Sequence, residues 1–393
     1  MQNFEFYAPT RMIFGKDTHK EVGSIVKEYG FSRVLLHYGQ GSVIKSGVYD
    51  EVMASLKHAG MDVAVLGGAE PNPKISLVRE GVRLAKEHAS ELVIALGGGS
   101  VIDSAKLIAI GAVADVDPWM FSERKAVPEG GLPVATILTL SASGSEMSAS
   151  CVITNEENGL KRGFGTKLNR PLFSICNPCL TYTVNPYQTA CGIVDIMMHT
   201  LERYFTVSKP FMISDEMAFG LLRTVIKAGK DALKNPEDYE ARANLMWAGS
   251  LSHNDLTGVG TEFFMGCHQL EHEISGMFDC VAHGAGLAVV YPAWAKYVYR
   301  FNPSRFALLA VNVLGANPEG KTQEELALEG IRIMEEFFRS IGMPTRLSGL
   351  GVDIKDSAIE EMAEKCTFFG KRKLKDYKEL GKKEIIEIYN LAK

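Results

Sequence analysis

At 393 residues, with 46% hydrophobic and 23% charged side chains, the chain has an ordinary globular composition and room for two cores. Single cores rarely grow past roughly 250–300 residues. A net charge of −5, and no basic cluster longer than Lys371-Arg372-Lys373, argue against a nucleic-acid partner; residues 371–375 read as solvated surface. No apolar run approaches the roughly 20 residues that span a bilayer, so no membrane partner is expected. The opening MQNFEFYAPTRMIFG lacks a basic region followed by an apolar stretch, and seven cysteines suit reduced thiols; both fit a cytoplasmic protein.

In chain order, Phe4–Tyr7 and Met12–Phe14 read as an initial hairpin at a sheet edge, a surface that invites pairing into a homodimer. Arg33–Tyr38, Asp62–Leu66, Glu91–Leu96 and Leu132–Leu140 read as strands. Helical patterns at Val48–Ala59, Ser76–His88 and Val101–Ala112 separate them. Such alternation predicts a mostly parallel sheet covered on both faces. Past Tyr187 the strand signal fades. Segments 189–206, 213–231, 238–254 and 322–341 carry helical periodicity, with capping boxes at Thr322-x-x-Glu325 and Ser357-x-x-Glu360. The expected architecture is an α/β dinucleotide-binding domain over 1–187 and an all-helical domain over 188–393.

Gly97-Gly98-Gly99-Ser100 follows a buried strand and opens a helix. Free amides and the positive end of the helix dipole can hold phosphate oxygens there, and glycine lets the backbone approach them. Ser100 adds a hydroxyl. Asp103 could bond a ribose hydroxyl or cap the helix. The stretch departs from G-x-G-x-x-G because Ile102 holds the third glycine position. The earlier turn Gly39-Gln40-Gly41-Ser42 has no acidic residue at the strand end to bond an adenosine ribose, as NAD sites usually require. Gly39, Gly41, Ser42 and nearby Lys45 suit a 2′-phosphate instead, so NADP(H) is expected ahead of NAD(H). Thr139 to Glu146 closes the fourth strand with small residues, and Thr139 and Ser143 could fix a nicotinamide amide.

Asp195-x3-His199 places a carboxylate and an imidazole one helical turn apart, and His268-x14-His283 supplies two further imidazoles. One carboxylate with three imidazoles is a donor set for a divalent transition metal, Fe²⁺ or Zn²⁺ alike. His272, one turn from His268, could deliver a proton near neutral pH. His268-x-x-Glu271-His272 is also literally an inverted zinc-peptidase motif, which leaves the Asp195 pair and the glycine turns without a role. His19, His37, His58 and His88 follow no ligand spacing and read as surface or turn residues, while His253 reads as a satisfied helical histidine. Cys176-x-x-Cys179 lacks a second pair or the helical start of a redox site. Phe263, Phe264 and Trp119 are candidates to line an apolar substrate pocket.

Taken together, these stretches resemble the iron-containing (group III) alcohol dehydrogenases, essentially end to end. The similarity is carried by GGGSVIDSAK at 97–106, TLSASGSE at 139–146, GIVDIMMHTLE at 192–202, CHQLEHEISGMF at 267–278 and AHGAGLAVVYPAW at 282–294. Within the family they are nearest the branch of butanol dehydrogenases and NADPH-dependent aldehyde reductases. The resemblance implies a metal held by Asp195, His199, His268 and His283, iron before zinc, and a cleft between the two domains. It implies that His272 is a non-ligand near the nicotinamide and that Lys161 contacts the cofactor. Gly39 stands where NAD-preferring members carry aspartate, and Leu140 replaces a threonine of the family's TTAGTGSE. The implied reaction is hydride transfer between NAD(P)(H) and short primary alcohols or aldehydes, with a glycerol-dehydrogenase-like polyol oxidoreductase or a dehydroquinate-synthase-like enzyme as relatives of the same fold.

Overall fold

The computed structural model describes residues 1–393 and divides into two compact units. A sheet unit holds residues 7–184 and 236–254; a helical unit holds 1–6, 185–235 and 255–393. The main junction falls three residues from the boundary expected at 187/188, but two segments cross it. The first six residues belong with the helices, and the helix within 236–254 belongs with the sheet.

The chain runs β1 (Arg11–Phe14), α1 (Val22–Glu28), β2 (Arg33–Gly39), α2 (Ser42–Lys45), α3 (Val48–His58), β3 (Asp62–Ala69), α4 (Ile75–Glu87), β4 (Leu92–Gly97), α5 (Gly99–Gly111), α6 (Trp119–Ser122), β5 (Val134–Leu138), β6 (Ser150–Asn155), β7 (Leu160–Gly165) and β8 (Phe173–Cys176). It continues through α7 (Pro186–Tyr204), α8 (Met212–Lys234), α9 (Tyr239–His253), α10 (Gly266–Met277), α11 (His283–Val298), α12 (Pro303–Asn312), α13 (Gln323–Ser340), α14 (Asp356–Cys366) and α15 (Lys382–Leu391). No helix is long and apolar enough to cross a membrane.

Six strands form a parallel sheet in the order β1-β8-β5-β4-β2-β3, and β6 and β7 form a separate antiparallel pair. Strand alternation feeds two apolar layers. Val34, Leu36, Ile94 and Ile137 pack with Val26, Val52 and Leu56 of α1 and α3 on one face. Leu35, Val93, Ala95 and Leu138 pack with Val78, Ala105 and Ile108 of α4 and α5 on the other. Burying such side chains contributes about 1.5–3 kcal/mol each. α5 is apolar nearly all round and buried from Val101 to Gly111 apart from Asp103, as a helix packed on several sides must be. The strand order reverses at β2: the chain leaves it for β3 on one side and returns to β4 on the other. The carboxyl ends of β2 and β4 therefore flank a topological switch point, where open α/β sheets take their ligands.

The expected initial hairpin does not form. Phe4–Tyr7 is not a strand, and β1 pairs in parallel with β8, some 160 residues away. Pairing at that separation leaves no local turn signal to read. The Thr322–Glu325 capping box is present at the start of α13. The one expected at Ser357 is not, because α14 already begins at Asp356 and Ser357 lies inside its first turn. His19 and His37 are buried rather than at the surface. His19 meets Glu51 at 2.7 Å and Asn177 at 3.2 Å. His37 Nδ1–H donates to the Leu66 carbonyl (2.9 Å), and its Nε2 meets the Ser104 hydroxyl (2.7 Å). Trp119 is buried in the α4–α5 apolar layer.

Candidate metal centre and nucleotide loops

α7 is capped by the Asn185 side chain, which accepts from Gln188 N–H, and carries Pro186 in its first turn. It is buried from Thr189 to Tyr204. Asp195 and His199 lie on it one turn apart; α10 supplies His268, and His283 is the first residue of α11. Their polar atoms converge on Asp195 Oδ1, which lies 3.3 Å from His199 Nδ1, 3.4 Å from His268 Nε2 and 3.8 Å from His283 Nε2. Donors bound at 2.0–2.2 Å in a tetrahedron stand about 3.4 Å apart, so the spacing suits one divalent ion. Asp195 Oδ1 and His268 Nε2 are moreover buried with no hydrogen-bond partner, a costly arrangement that an ion would relieve. All four expected residues come together, and the donor set fits the metal.

Two glycines allow this convergence. A Cβ on Gly284 would stand 2.2 Å from the Cys191 carbonyl of α7, and one on Gly286 would stand 2.7 Å from Glu271 Cγ of α10. α11 can thus lie against the α7 backbone at Gly284 and against the Glu271 side chain of α10 at Gly286, bringing His283 to the others.

Two carboxylates that the sequence reading did not place here complete the centre. Glu202 accepts from the Cys267 N–H (2.6 Å) and meets His268 Nδ1; Glu271 meets His283 Nδ1. Both are buried. Desolvation pushes the His268 imidazole towards neutrality, but Glu202 and Asp195 outweigh it and raise its pKa to about 9 in the absence of an ion. Asp195, His199 and Glu202 lie at i, i+4 and i+7, a single helical stripe, and that spacing was the available signal. With Glu271 paired to His283, the peptidase assignment loses its base. His272 lies outside the Asp195–His199–His268 set and groups instead with Glu271 and His283, its ring centre 6.3 Å from that of His268 and 5.5 Å from that of His283. Phe263 lies under the Arg203 guanidinium, 4.9 Å from ring centre, and the Phe264 ring faces Lys375 at 5.7 Å.

In the sheet unit, Gly97 ends β4, Gly98 caps α5, and Gly99 and Ser100 form its first turn, with no side chain closing the helix end. A Cβ on Gly99 would stand 2.3 Å from Ser143 Oγ, and one on Gly97 would stand 2.4 Å from Val101 Cγ2. Side chains pack directly on the bend, so neither position has room for a Cβ. Thr139 N–H donates to the Gly97 carbonyl (3.1 Å), which ties the end of β5 to this bend. Gly39 ends β2 beside it, Gly41 takes φ 125°, and Ser42 and Lys45 are exposed on α2. Gln40 donates to Glu70 (2.5 Å), so a carboxylate does stand beside this turn. Lys161 is buried on β7 and donates to Asn72 (2.9 Å).

Asp103 does not cap the helix. Its oxygens accept from the Ser145 hydroxyl (2.5 Å) and the Val152 amide (2.9 Å). Beside it Lys106, also buried, donates to Ser145 Oγ (2.7 Å), Ser148 O (3.1 Å), Ser148 Oγ (3.2 Å) and Ser150 O (2.8 Å). Burial pushes its pKa down to about 8. From α9, Ser250 donates to Glu146 (2.5 Å), and His253 Nδ1–H donates to the Ser143 carbonyl (2.6 Å). The serine-rich loop is held from three sides by groups of opposite polarity, a device that the repeated small residues gave no hint of.

Comparison with known proteins agrees with this arrangement. Residues 9–178 match the iron-containing alcohol dehydrogenase family, and 189–392 match the C-terminal domain of the Fe-containing alcohol dehydrogenase family. This chain belongs to the iron-containing alcohol dehydrogenases. It is 40% identical to NADH-dependent butanol dehydrogenase A of Clostridium acetobutylicum over 99% of each chain. It is 36% identical to the NADPH-dependent aldehyde reductase YqhD of Escherichia coli over 100% of each. The crystal structure of NADH-dependent butanol dehydrogenase A from Thermotoga maritima superposes with a TM-score of 0.95 at 39% identity, covering 100% of this chain and 99% of that one. The chain is an NAD(P)-dependent alcohol dehydrogenase or aldehyde reductase.

Proposed function

We propose that the chain reduces short aldehydes to primary alcohols, of the butanol type, with NADPH ahead of NADH, at a divalent ion held by Asp195, His199, His268 and His283. The observation that carries this reading is that three histidine nitrogens stand 3.3, 3.4 and 3.8 Å from Asp195 Oδ1, with Asp195 Oδ1 and His268 Nε2 buried and lacking a hydrogen-bond partner. Fe²⁺ is the proposed ion, with Zn²⁺ the alternative that the same donors accept. When bound, the ion supplies Lewis acidity towards a carbonyl oxygen, and the nicotinamide supplies the hydride.

The chain's own residues do the rest. The amides of Gly98, Gly99 and Ser100 bind pyrophosphate at the start of α5. Gly39, Gly41 and Ser42 leave space at the end of β2 for a 2′-phosphate, which Lys45 would neutralise. Thr139, Ser143 and Lys161 orient the nicotinamide half of the cofactor, and Asp103 holds Ser145 and β6 in place. His272 delivers the proton that the alcohol oxygen gains. Phe263 and Phe264 give the helical unit an apolar wall for a short alkyl chain. Exposed Phe14 on edge strand β1 favours pairing of two copies, and seven free thiols suit a reducing cytoplasm.

Metal analysis of the purified protein, run alongside NADPH- and NADH-linked assays on a panel of aldehydes, tests the reading. One ion per chain and faster turnover with NADPH on C3–C5 aldehydes are expected. A metal-free protein of undiminished activity overturns the metal assignment, and tighter NADH binding overturns the cofactor preference, Glu70 then being the acid to examine.

A further inference from the structure

The two buried glutamates beside the histidines have no part in the reaction described so far. A histidine has two ring nitrogens, and which one can ligate depends on what holds the other. His268 presents Nε2 towards Asp195 and Nδ1 towards Glu202; His283 presents Nε2 towards Asp195 and Nδ1 towards Glu271. Neither glutamate can easily turn away. Glu202 is also held by the Cys267 amide at the start of α10 (2.6 Å), and Glu271 is wedged against Gly286, where a Cβ would stand 2.7 Å from its Cγ and 2.8 Å from its Oε1. Carboxylate–histidine pairs of this kind orient the ring, select the tautomer and raise the basicity of the ligating nitrogen.

We propose that Glu202 and Glu271 are positioning residues of the metal centre: each holds the Nδ1–H of one ligand histidine, so that His268 and His283 offer Nε2 to the ion. The proposal rests on the ligand assignment above. It also gives Gly286 a reason beyond helix packing, since any side chain there would displace Glu271 and, through it, His283. The two glutamates come from different helices, α7 and α10, and each orients a histidine on another helix, α10 and α11 respectively. The outer carboxylates therefore link the three helices in a chain, and the site depends on all three being docked.

The test measures metal affinity rather than turnover. Wild type, Glu202→Ala, Glu202→Gln, Glu271→Ala and Glu271→Gln are stripped of metal and titrated with Zn²⁺ against a competing chelator, with circular dichroism as the fold check. Loss of such a partner typically weakens metal binding about 10–100-fold, so the alanine variants should fall in that range and the glutamine variants, which keep an accepting oxygen, between them and wild type. A folded alanine variant with wild-type affinity overturns the role of that glutamate while leaving the ligand assignment intact. A wild type that binds no Zn²⁺ overturns the ligand assignment itself. Should a variant fail to fold, nitrogen NMR of histidine-labelled, Zn²⁺-loaded wild type decides. Protonated Nδ1 and metal-shifted Nε2 on His268 and His283 are expected, and ligation through Nδ1 on either refutes the assignment for that pair.

Discussion

The helical unit and the sheet unit both concentrate buried polar groups, yet by opposite means. In the helical unit three helices bring histidine nitrogens to within 3.8 Å of Asp195 Oδ1, and Asp195 Oδ1 and His268 Nε2, both without a hydrogen-bond partner, face each other as if around a cation. In the sheet unit the buried ammonium of Lys106 already occupies such a point, ringed by four oxygen contacts. One unit is built to receive a charge; the other carries its own and uses it to fix a loop. The difference teaches where substitution is tolerated: the first site fails by losing its ion, the second by losing its shape.

The largest separation of the two should come from His268→Ala. It is expected to abolish metal retention and, with it, the several kcal/mol a Lewis acid supplies, a loss in turnover on the order of 10³-fold or more. Cofactor affinity should be unchanged by fluorescence titration, and full turnover would show that the ligand is wrongly assigned. Lys106→Met attacks the other unit. Removing one member of a buried charged network typically costs about 3–5 kcal/mol, to be read as a lower urea midpoint while a separately measured metal content stays at one ion per chain.

Acid should also strike the sheet unit selectively. Burial lowers the His37 pKa from 6.5 to about 4, so the folded state holds this ring neutral where the unfolded chain would protonate it. Its contribution is present above pH 6.5 and is lost as pH falls towards 4, up to roughly 3 kcal/mol. Urea titrations of wild type and His37→Gln from pH 7 to pH 4 should show a shallower decline in the variant; parallel curves would remove His37 from the account. Gly99→Ala forces a Cβ against Ser143, and overpacking of about 1–3 kcal/mol should raise the cofactor KM roughly ten- to hundredfold with metal content untouched. The smallest effect is expected from Gly39→Asp. A Cβ there has only ordinary contacts, the nearest 3.4 Å away, and the new carboxylate should shift preference towards NADH by about tenfold in the ratio of Kd values.

Much of this was legible in the residues, for physical reasons. The parallel sheet shows as apolar runs broken by glycine, and Asp195 with His199 shows because helical spacing is a local property. What escaped was non-local. β8 is four residues long and fully buried, so it has no alternation to read. β6 and β7 are the exception, a local hairpin whose Asn158-Gly159 dipeptide is a readable turn signal. His37 was misplaced at the surface although it lies in the apolar run Arg33–Tyr38, where alternation alone would have put it inside. Glu202 stood on the ligand stripe, but a carboxylate on a helix is read as solvated until the neighbouring helix is known. Lys106 was hidden likewise: nothing in its own segment announces the serine cage that receives it.

The central claim is that one divalent ion sits among Asp195, His199, His268 and His283. Anomalous diffraction at the iron edge from crystals of the Fe²⁺-loaded protein tests it most directly. A single peak within bonding distance of all four side chains is the predicted result; a peak bonded to His272 in place of any of them, or no peak in this cluster from protein shown to carry iron, would contradict it.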